Sequence, residues 1–356
     1  MANRLPLHEL HVAAGGKFET LCGWELPQSY GDAAGEYAAA RRRLGLVDRG
    51  DRGVLEVTGR DRAPFLHALV SNDVKSLGPG QGCAATLLDV HGKIQVILAL
   101  LVLEDRILIL TPPGMAEKTL AELDRFLFSE KAELRDATGE QALVLLVGPA
   151  AAATTEALTG EAPLETPWSH APASLGGVDV RVARGARETG EDEVWVWAPA
   201  AEGPRLWDAA LAAGARPIGT SAFESLRIEA GTPLFGHDAG PTVLLPEIPF
   251  ATLVSDTKGC YPGQEVVVRI RDRGHVNRLF CGLLLDGENV PPAGAPVLVD
   301  GAEIGRVTSA CWSFGRERPL ALAFVRRQHA DPGSRVAVGA GAEALPATVS
   351  ALPFER

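Results

Sequence analysis

Paired cysteines are missing from this sequence. The five it has, Cys22, Cys83, Cys260, Cys281 and Cys311, stand far apart, and their number is odd. No CxxC pair occurs, so neither a disulfide framework nor a tetrathiolate zinc site is suggested. Reduced thiols in a cytoplasmic protein are the simpler reading. A long hydrophobic run is also missing. The most apolar stretch, Ile94 to Leu103, covers about ten residues, whereas a bilayer span needs about 20; it reads as a buried strand. The start of the chain shows no secretory pattern, because Arg4, His8, Glu9 and His11 interrupt any apolar segment. Basic charge is not in excess. With 34 Lys and Arg against 45 Asp and Glu, the net charge is −11, which argues against phosphate-backbone binding as the main role but not against a local basic pocket. His91, His237 and His275 lack the short spacing of a zinc pair, so no metal site is expected. There is no short-period repeat and no long disordered tract.

What remains is an ordinary globular composition, 46% hydrophobic and 22% charged over 356 residues. At roughly 100–200 residues per domain, that suggests two or three domains. Apolar and polar residues alternate at Val54–Val57, and two strand candidates, 94–103 and 106–110, meet at Glu104-Asp105 as a hairpin. Helical spacing marks 32–44, 61–69, 115–128, 202–212 and 221–230, the last with a capping-box pattern from Ser221 to Glu224 and Gly231 at its end. Residues 149–172 read as a connection or insertion. After about residue 276, short apolar runs alternate with glycine and proline, and Asp300-Gly301 sits between two of them, which predicts a small β-barrel. The fold class is α+β.

Cys260 stands in a tight turn between Gly259 and Pro262-Gly263, with Lys258, Arg269, Arg271 and Arg273 close in sequence. Cationic neighbours and a helix beginning at Gly263 or Gln264 would favour the thiolate. Residue chemistry alone leaves two readings open: a reactive or metal-binding thiol, or a small apolar residue that fills a turn.

The segment Lys258-Gly259-Cys260-Tyr261-Pro262-Gly263-Gln264-Glu265 resembles the K-G-C-[FY]-x-G-Q-E signature of the YgfZ family of tetrahydrofolate-binding proteins. Asp89-x-x-Gly92-Lys93 is similar to that family's D-x-x-G-[KR]. The rest of the chain resembles the sister family, the T-protein (aminomethyltransferase) of the glycine cleavage system. The pieces that carry this are Gly23-Trp24-Glu25-Leu26-Pro27 with Tyr30, Gly45-Leu46-Val47-Asp48, Asn72-Asp73-Val74, Thr189-Gly190-Glu191-Asp192, and Leu226 to Gly231 with Gly236 and Asp238. The resemblance implies a three-domain ring around a central folate channel. Residues 1–50 and 140–275 would form interleaved folate-binding domains, 51–139 a further α+β domain and 276–356 the barrel.

The resemblance also implies roles. Cys260 would be the essential residue of a tetrahydrofolate-dependent factor that assembles or repairs iron–sulfur clusters, with folate and iron–sulfur client proteins as partners. Glu229 matches the T-protein's pterin-binding glutamate, and a carboxylate can accept the 2-amino and ring N–H of a pterin together. Arg227, Asp89, Lys258, Tyr261, Gln264, Glu265 and Arg269 complete the expected folate set. The alternative is an aminomethyl- or methyltransferase of the T-protein type. Against it, the T-protein's catalytic aspartate falls on Val96 and the next aspartate on Ile97, and neither can move a proton or steady a positive charge. Two tyrosines expected beside folate appear as Ala84 and Glu188. Trp195 and Trp197 alternate on a strand and face one side, as core packing.

Overall fold

Nearly every apolar run becomes a strand. In the computed structural model, which describes residues 2–162, 164–341 and 344–355, the chain opens with β1 (Asn3–Arg4), α1 (His8–Ala13), β2 (Lys17–Leu21), β3 (Trp24–Ser29), α2 (Ala33–Arg42) and β4 (Gly45–Asp48). Then come β5 (Gly53–Thr58), α3 (Arg62–Leu69), β6 (Gly82–Leu88), β7 (Ile94–Val102), β8 (Arg106–Thr111), α4 (Ala116–Asp124) and β9 (Glu133–Asp136). The middle of the chain gives β10 (Gln141–Val147), α5 (Ala151–Thr159), β11 (His170–Leu175), β12 (Val178–Arg184), β13 (Glu193–Pro199), α6 (Gly203–Ala212), β14 (Arg216–Pro217) and α7 (Thr220–Glu229). The last part holds α8 (Gln264–Arg273), β15 (Arg278–Leu285), β16 (Pro296–Val299), β17 (Ala302–Ser313), β18 (Arg318–Arg326), β19 (Arg335–Val338) and β20 (Leu345–Ser350).

The strands form four assemblies: a small sheet ordered β1-β3-β2, a six-stranded sheet β11-β12-β13-β10-β4-β14, a five-stranded sheet β6-β7-β8-β5-β9, and a closed barrel β15-β18-β17-β16-β19-β20. The architecture is α+β with a C-terminal barrel. The two larger sheets share a core that includes Val54, Leu108, Leu110, Leu143, Trp195 and Trp197. The outer face of the five-stranded sheet is covered by α3 and α4 through Phe65, Leu66 and Leu123. That of the six-stranded sheet is covered by α6 through Leu206 and Trp207. Each sheet thus buries both faces, which explains why its central strands read as continuous apolar runs rather than alternating ones.

Several local expectations change. Residues 149–172 are not a plain connection: alanine-rich α5 lies within them and edge strand β11 begins at His170. Helix α7 has no capping box. Gly219 takes the cap position, and its N–H donates to the Glu36 carboxylate on α2 at 2.9 Å. A Cβ at Gly219 would lie 2.3 Å from the Gln28 carbonyl oxygen, so α7 starts hard against β3 and Ser221 falls inside the helix. Glu224 pairs with Arg227 instead. Helix α4 stops at Asp124, four residues short of Phe128. Among the described residues no helix is long and apolar enough to cross a membrane, and no group of three or more His, Cys, Asp or Glu is placed to hold a metal ion.

Candidate functional site

One end of the core between the two large sheets is open. A cavity of about 340 Å³ lies there, inside the range of roughly 300–1,000 Å³ typical of ligand pockets. Ile97 and Ala99 of β7, Leu110 of β8, Trp168, Trp195 of β13 and Phe223 of α7 supply its apolar wall. The chain from Ala230 to Phe235, with Thr252, Leu253, Leu352 and Pro353, closes the rest. Residues far apart in sequence meet there, from β7 and β8, α7, the loop after it and the C-terminal segment.

The polar part is a small charged cluster. Arg49 and Arg52 follow β4, and Glu188 precedes β13. Arg52 donates to both Glu188 oxygens, at 3.1 and 3.3 Å. Arg49 Nη1 stands 3.7 Å from Glu188, too far for a hydrogen bond. The Arg49 guanidinium lies between two rings, 5.4 Å from the Trp195 centroid and 5.1 Å from that of Phe223, a cation–π arrangement. Arg52, Arg49 and Arg227 together hold the Glu188 carboxyl below its ordinary range, against the opposing effect of burial. Among the residues that line the cavity, Glu188 is the sole carboxylate.

Behind it sits Glu193, fully buried. One of its oxygens accepts from the Thr189 N–H and hydroxyl at 2.8 and 2.7 Å, and the other has no partner. Burial, reinforced by the charge of Glu188, pushes the Glu193 carboxyl up to about 7. The nitrogens Arg49 Nη1, Arg52 Nε, Trp168 Nε1 and Trp195 Nε1 are likewise without hydrogen-bond partners. All four nitrogens are sealed from the cavity surface, so they are unsatisfied groups inside the wall and not contacts for a ligand.

The expected site residues are not gathered here. Of them only Arg227 lines the cavity, and its guanidinium is committed to Glu224, Asp238 and the Thr232 carbonyl. Glu229 is elsewhere. It is 7% exposed, accepts from Tyr37 at 2.7 Å, Ser313 at 2.5 Å and Ser225 at 3.1 Å, and is paired with Arg41. Its carboxylate ties α2 and α7 to the barrel, which leaves nothing for a ligand. The local cost of an acid near a helix C-terminus is offset by Arg41 and three hydroxyls.

The cysteine turn is a separate feature. Cys260 is an exposed free thiol and lines none of the cavities described. Lys258 turns inward and donates to the carbonyls of His67 and Val70 at the end of α3, while its ammonium lies 4.9 Å from the centroid of the Tyr261 ring. Burial brings its pKa down to about 8. Tyr261 packs with Leu88, Ile94 and Val267. Gln264 bonds the Gly259 carbonyl at 3.3 Å, and Glu265 and Arg269 are exposed on α8. Asp89 accepts from the N–H groups of His91 and Lys93, both at 2.9 Å. Asp89, Lys258, Tyr261 and Gln264 therefore build the turn, and the set does not converge on the cavity.

On β7, Val96 faces the core under α3 and α4, while Ile97 faces the cavity. The two tryptophans also part company. Trp195 walls this cavity, and Trp197 walls a second one at the other end of the same core. Sequence reading missed Arg49, Arg52, Glu193 and Phe223, and took Glu188 only as a lost tyrosine. The available signal was the doubled Arg in Asp48-Arg49-Gly50-Asp51-Arg52, directly after an apolar strand.

Fold and site define an α+β protein with an aromatic, arginine-lined cavity where two sheets meet. Residues 7–258 match the GCVT N-terminal domain and residues 278–355 the glycine cleavage T-protein C-terminal barrel domain. The chain is 31% identical over 365 residues to an aminomethyltransferase of Synechococcus sp. (strain CC9311), covering 99% of each chain. It is 33% identical over 357 residues to one from Rubrobacter xylanophilus, covering 99% of this chain and 94% of that one. The crystal structure of the glycine cleavage system aminomethyltransferase T from Bartonella henselae superimposes with a TM-score of 0.90 at 27% identity, over 100% of this chain and 98% of that one. The chain belongs to the glycine cleavage T-protein family.

Proposed function

We propose that this protein binds tetrahydrofolate in the cavity beside Glu188 and serves folate-dependent transfer of an aminomethyl-type one-carbon unit. The observation that carries the reading is the lone cavity carboxylate, set among two arginines and two aromatic rings. Glu188 offers the acceptor that paired pterin N–H groups need. Ile97, Leu110 and Trp168 add apolar surface for a flat ring, while Arg49, paired with Asp51 and set between Trp195 and Phe223, and Arg52, paired with Glu188, hold that carboxylate in place. The name carried by the relatives supports the transfer. The bound folate would supply the nitrogen nucleophiles that accept the carbon unit. This chain's part is to orient it, exclude water with the apolar wall and present the Glu188 carboxylate as an acceptor, since Val96 and Ile97 offer none. Titration with tetrahydrofolate tests the site: Glu188→Gln and Trp195→Ala should each weaken binding about tenfold or more, and unchanged affinity in both removes the cavity from consideration. Formation of methylene-tetrahydrofolate from a lipoyl-bound aminomethyl donor tests the activity.

A second reading is favoured by the cysteine turn. Cys260 is exposed, outside the cavity and on a tightly built turn, as suits a thiol that meets a partner protein. With the resemblance to the YgfZ signature, it supports a folate-dependent factor for iron–sulfur client proteins. Cys260→Ala in the source organism decides it: cluster enzymes that keep full activity would sink this reading and leave the first intact.

A further inference from the structure

The core between the two large sheets is open at both ends. At the end away from Glu188 lies a second cavity, also about 340 Å³. Leu108 and Leu110 of β8, Leu143 of β10 and Trp197 of β13 make its apolar wall, and Glu56, Asp105, Arg106 and Arg181 its polar side.

The charges on that polar side are unequal in their commitments. Glu56 accepts from Arg106 at 3.0 Å and from Arg135 at 2.7 Å. Arg106 also binds Asp105 at 2.8 Å. These groups neutralise one another. Arg181 of β12 does not take part, and among the described residues it forms no ion pair. Its one hydrogen bond runs from Nη1 to His170 Nδ1 at 2.9 Å. A guanidinium has no lone pair to offer, so His170 Nδ1 is the acceptor and its proton sits on Nε2. Burial and the Arg181 charge hold His170 down at about 4, so at neutral pH it steers the arginine without adding charge. This half-buried guanidinium, beside a tryptophan and three leucines, feels the charges of Glu104 and Asp105 but is in ion-pair contact with no carboxylate among the described residues.

We propose that this second cavity binds a small organic carboxylate with a flat apolar body, anchored by Arg181 and packed on Trp197. Guanidinium recognises carboxylate through parallel N–H donors, and the apolar wall requires a ring or aliphatic body to cover it. The site stands apart from Glu188 and does not depend on what the first cavity holds.

Calorimetric titration of the full chain with indole-3-carboxylate, and with indole-3-carboxamide as the uncharged control, tests the assignment. The acid should bind saturably, the amide about tenfold more weakly or not at all. Arg181→Gln should lose a similar factor, and Glu188→Gln none. Gln141→Trp, which adds bulk at the cavity rim without touching the charge, should block the acid as well. The proposal is overturned if the acid does not bind, if acid and amide bind alike, if Arg181→Gln or Gln141→Trp binds as the parent does, or if Glu188→Gln abolishes binding.

Discussion

Gly263 and Gly92 meet backbone to backbone. A Cβ at Gly263 would stand 2.5 Å from the Asp89 carbonyl oxygen and 3.0 Å from the Gly92 Cα, and Gly263 itself has φ of 78°. Gly92, at φ of 77°, lies in turn under Val266 of α8. The two motifs that resemble one family's signature, around Asp89 and around Cys260, are therefore two halves of one packed structure. Glycine is required on both counts, the left-handed backbone and the lack of room.

Replacing Gly263 with alanine should cost at least about 2 kcal/mol of stability, from left-handed strain together with displaced backbone. Urea unfolding of the purified chain measures it. A loss under about 0.5 kcal/mol would mean that the turns do not hold each other.

Glu229→Gln separates structure from ligand. It removes the charge that Arg41 and three hydroxyls surround. Breaking one side of a buried pair costs about 3 kcal/mol, so a lower unfolding midpoint is expected. Tetrahydrofolate affinity should stay within about twofold of the parent. A large loss of affinity with an unchanged midpoint would return Glu229 to the binding site.

Glu193 gives the protein a pH dependence. The ordinary value for its carboxyl is 4.5, and in the fold it rises to about 7. Between those values the folded chain keeps a proton that the unfolded chain has released, so stability from this group falls as pH rises through the window. Glu193→Gln keeps the acceptor for Thr189 and cannot ionise. It should match the parent near pH 4 and exceed it at pH 8 by on the order of 1–3 kcal/mol. Equal stability at both pH values would show that Glu193 is not a proton-holding group.

Thiol labelling should sort the five cysteines by environment. Cys22 and Cys260 are exposed, Cys83 is intermediate, and Cys281 and Cys311 are buried. Burial pushes the Cys83 and Cys281 thiols up to about 12, and Cys311 higher still. Iodoacetamide followed by peptide mass analysis should find Cys260 and Cys22 modified first and the other three protected until denaturant is added. Early modification of Cys281 would mean that the barrel opens.

The sequence by itself determined most of the elements and the broad T-protein type of fold, while its finer YgfZ resemblance stays a proposal. Apolar runs such as 94–102 and 141–147 commit to strands because they are buried on both faces, and glycine and proline punctuation sets the barrel apart. The motifs fixed the cysteine turn because a chain of small and left-handed residues has few ways to fold. Tertiary structure decided where function can sit. A glutamate's partners are not written next to it: Glu229 is taken up by Arg41 and Ser313, distant in sequence, while Glu188 comes to stand alone in a cavity because Arg49 and Arg52 arrive from another strand end. Alternation put Trp195 and Trp197 on one face, and only the way the two sheets gape at both ends gave each of them its own cavity.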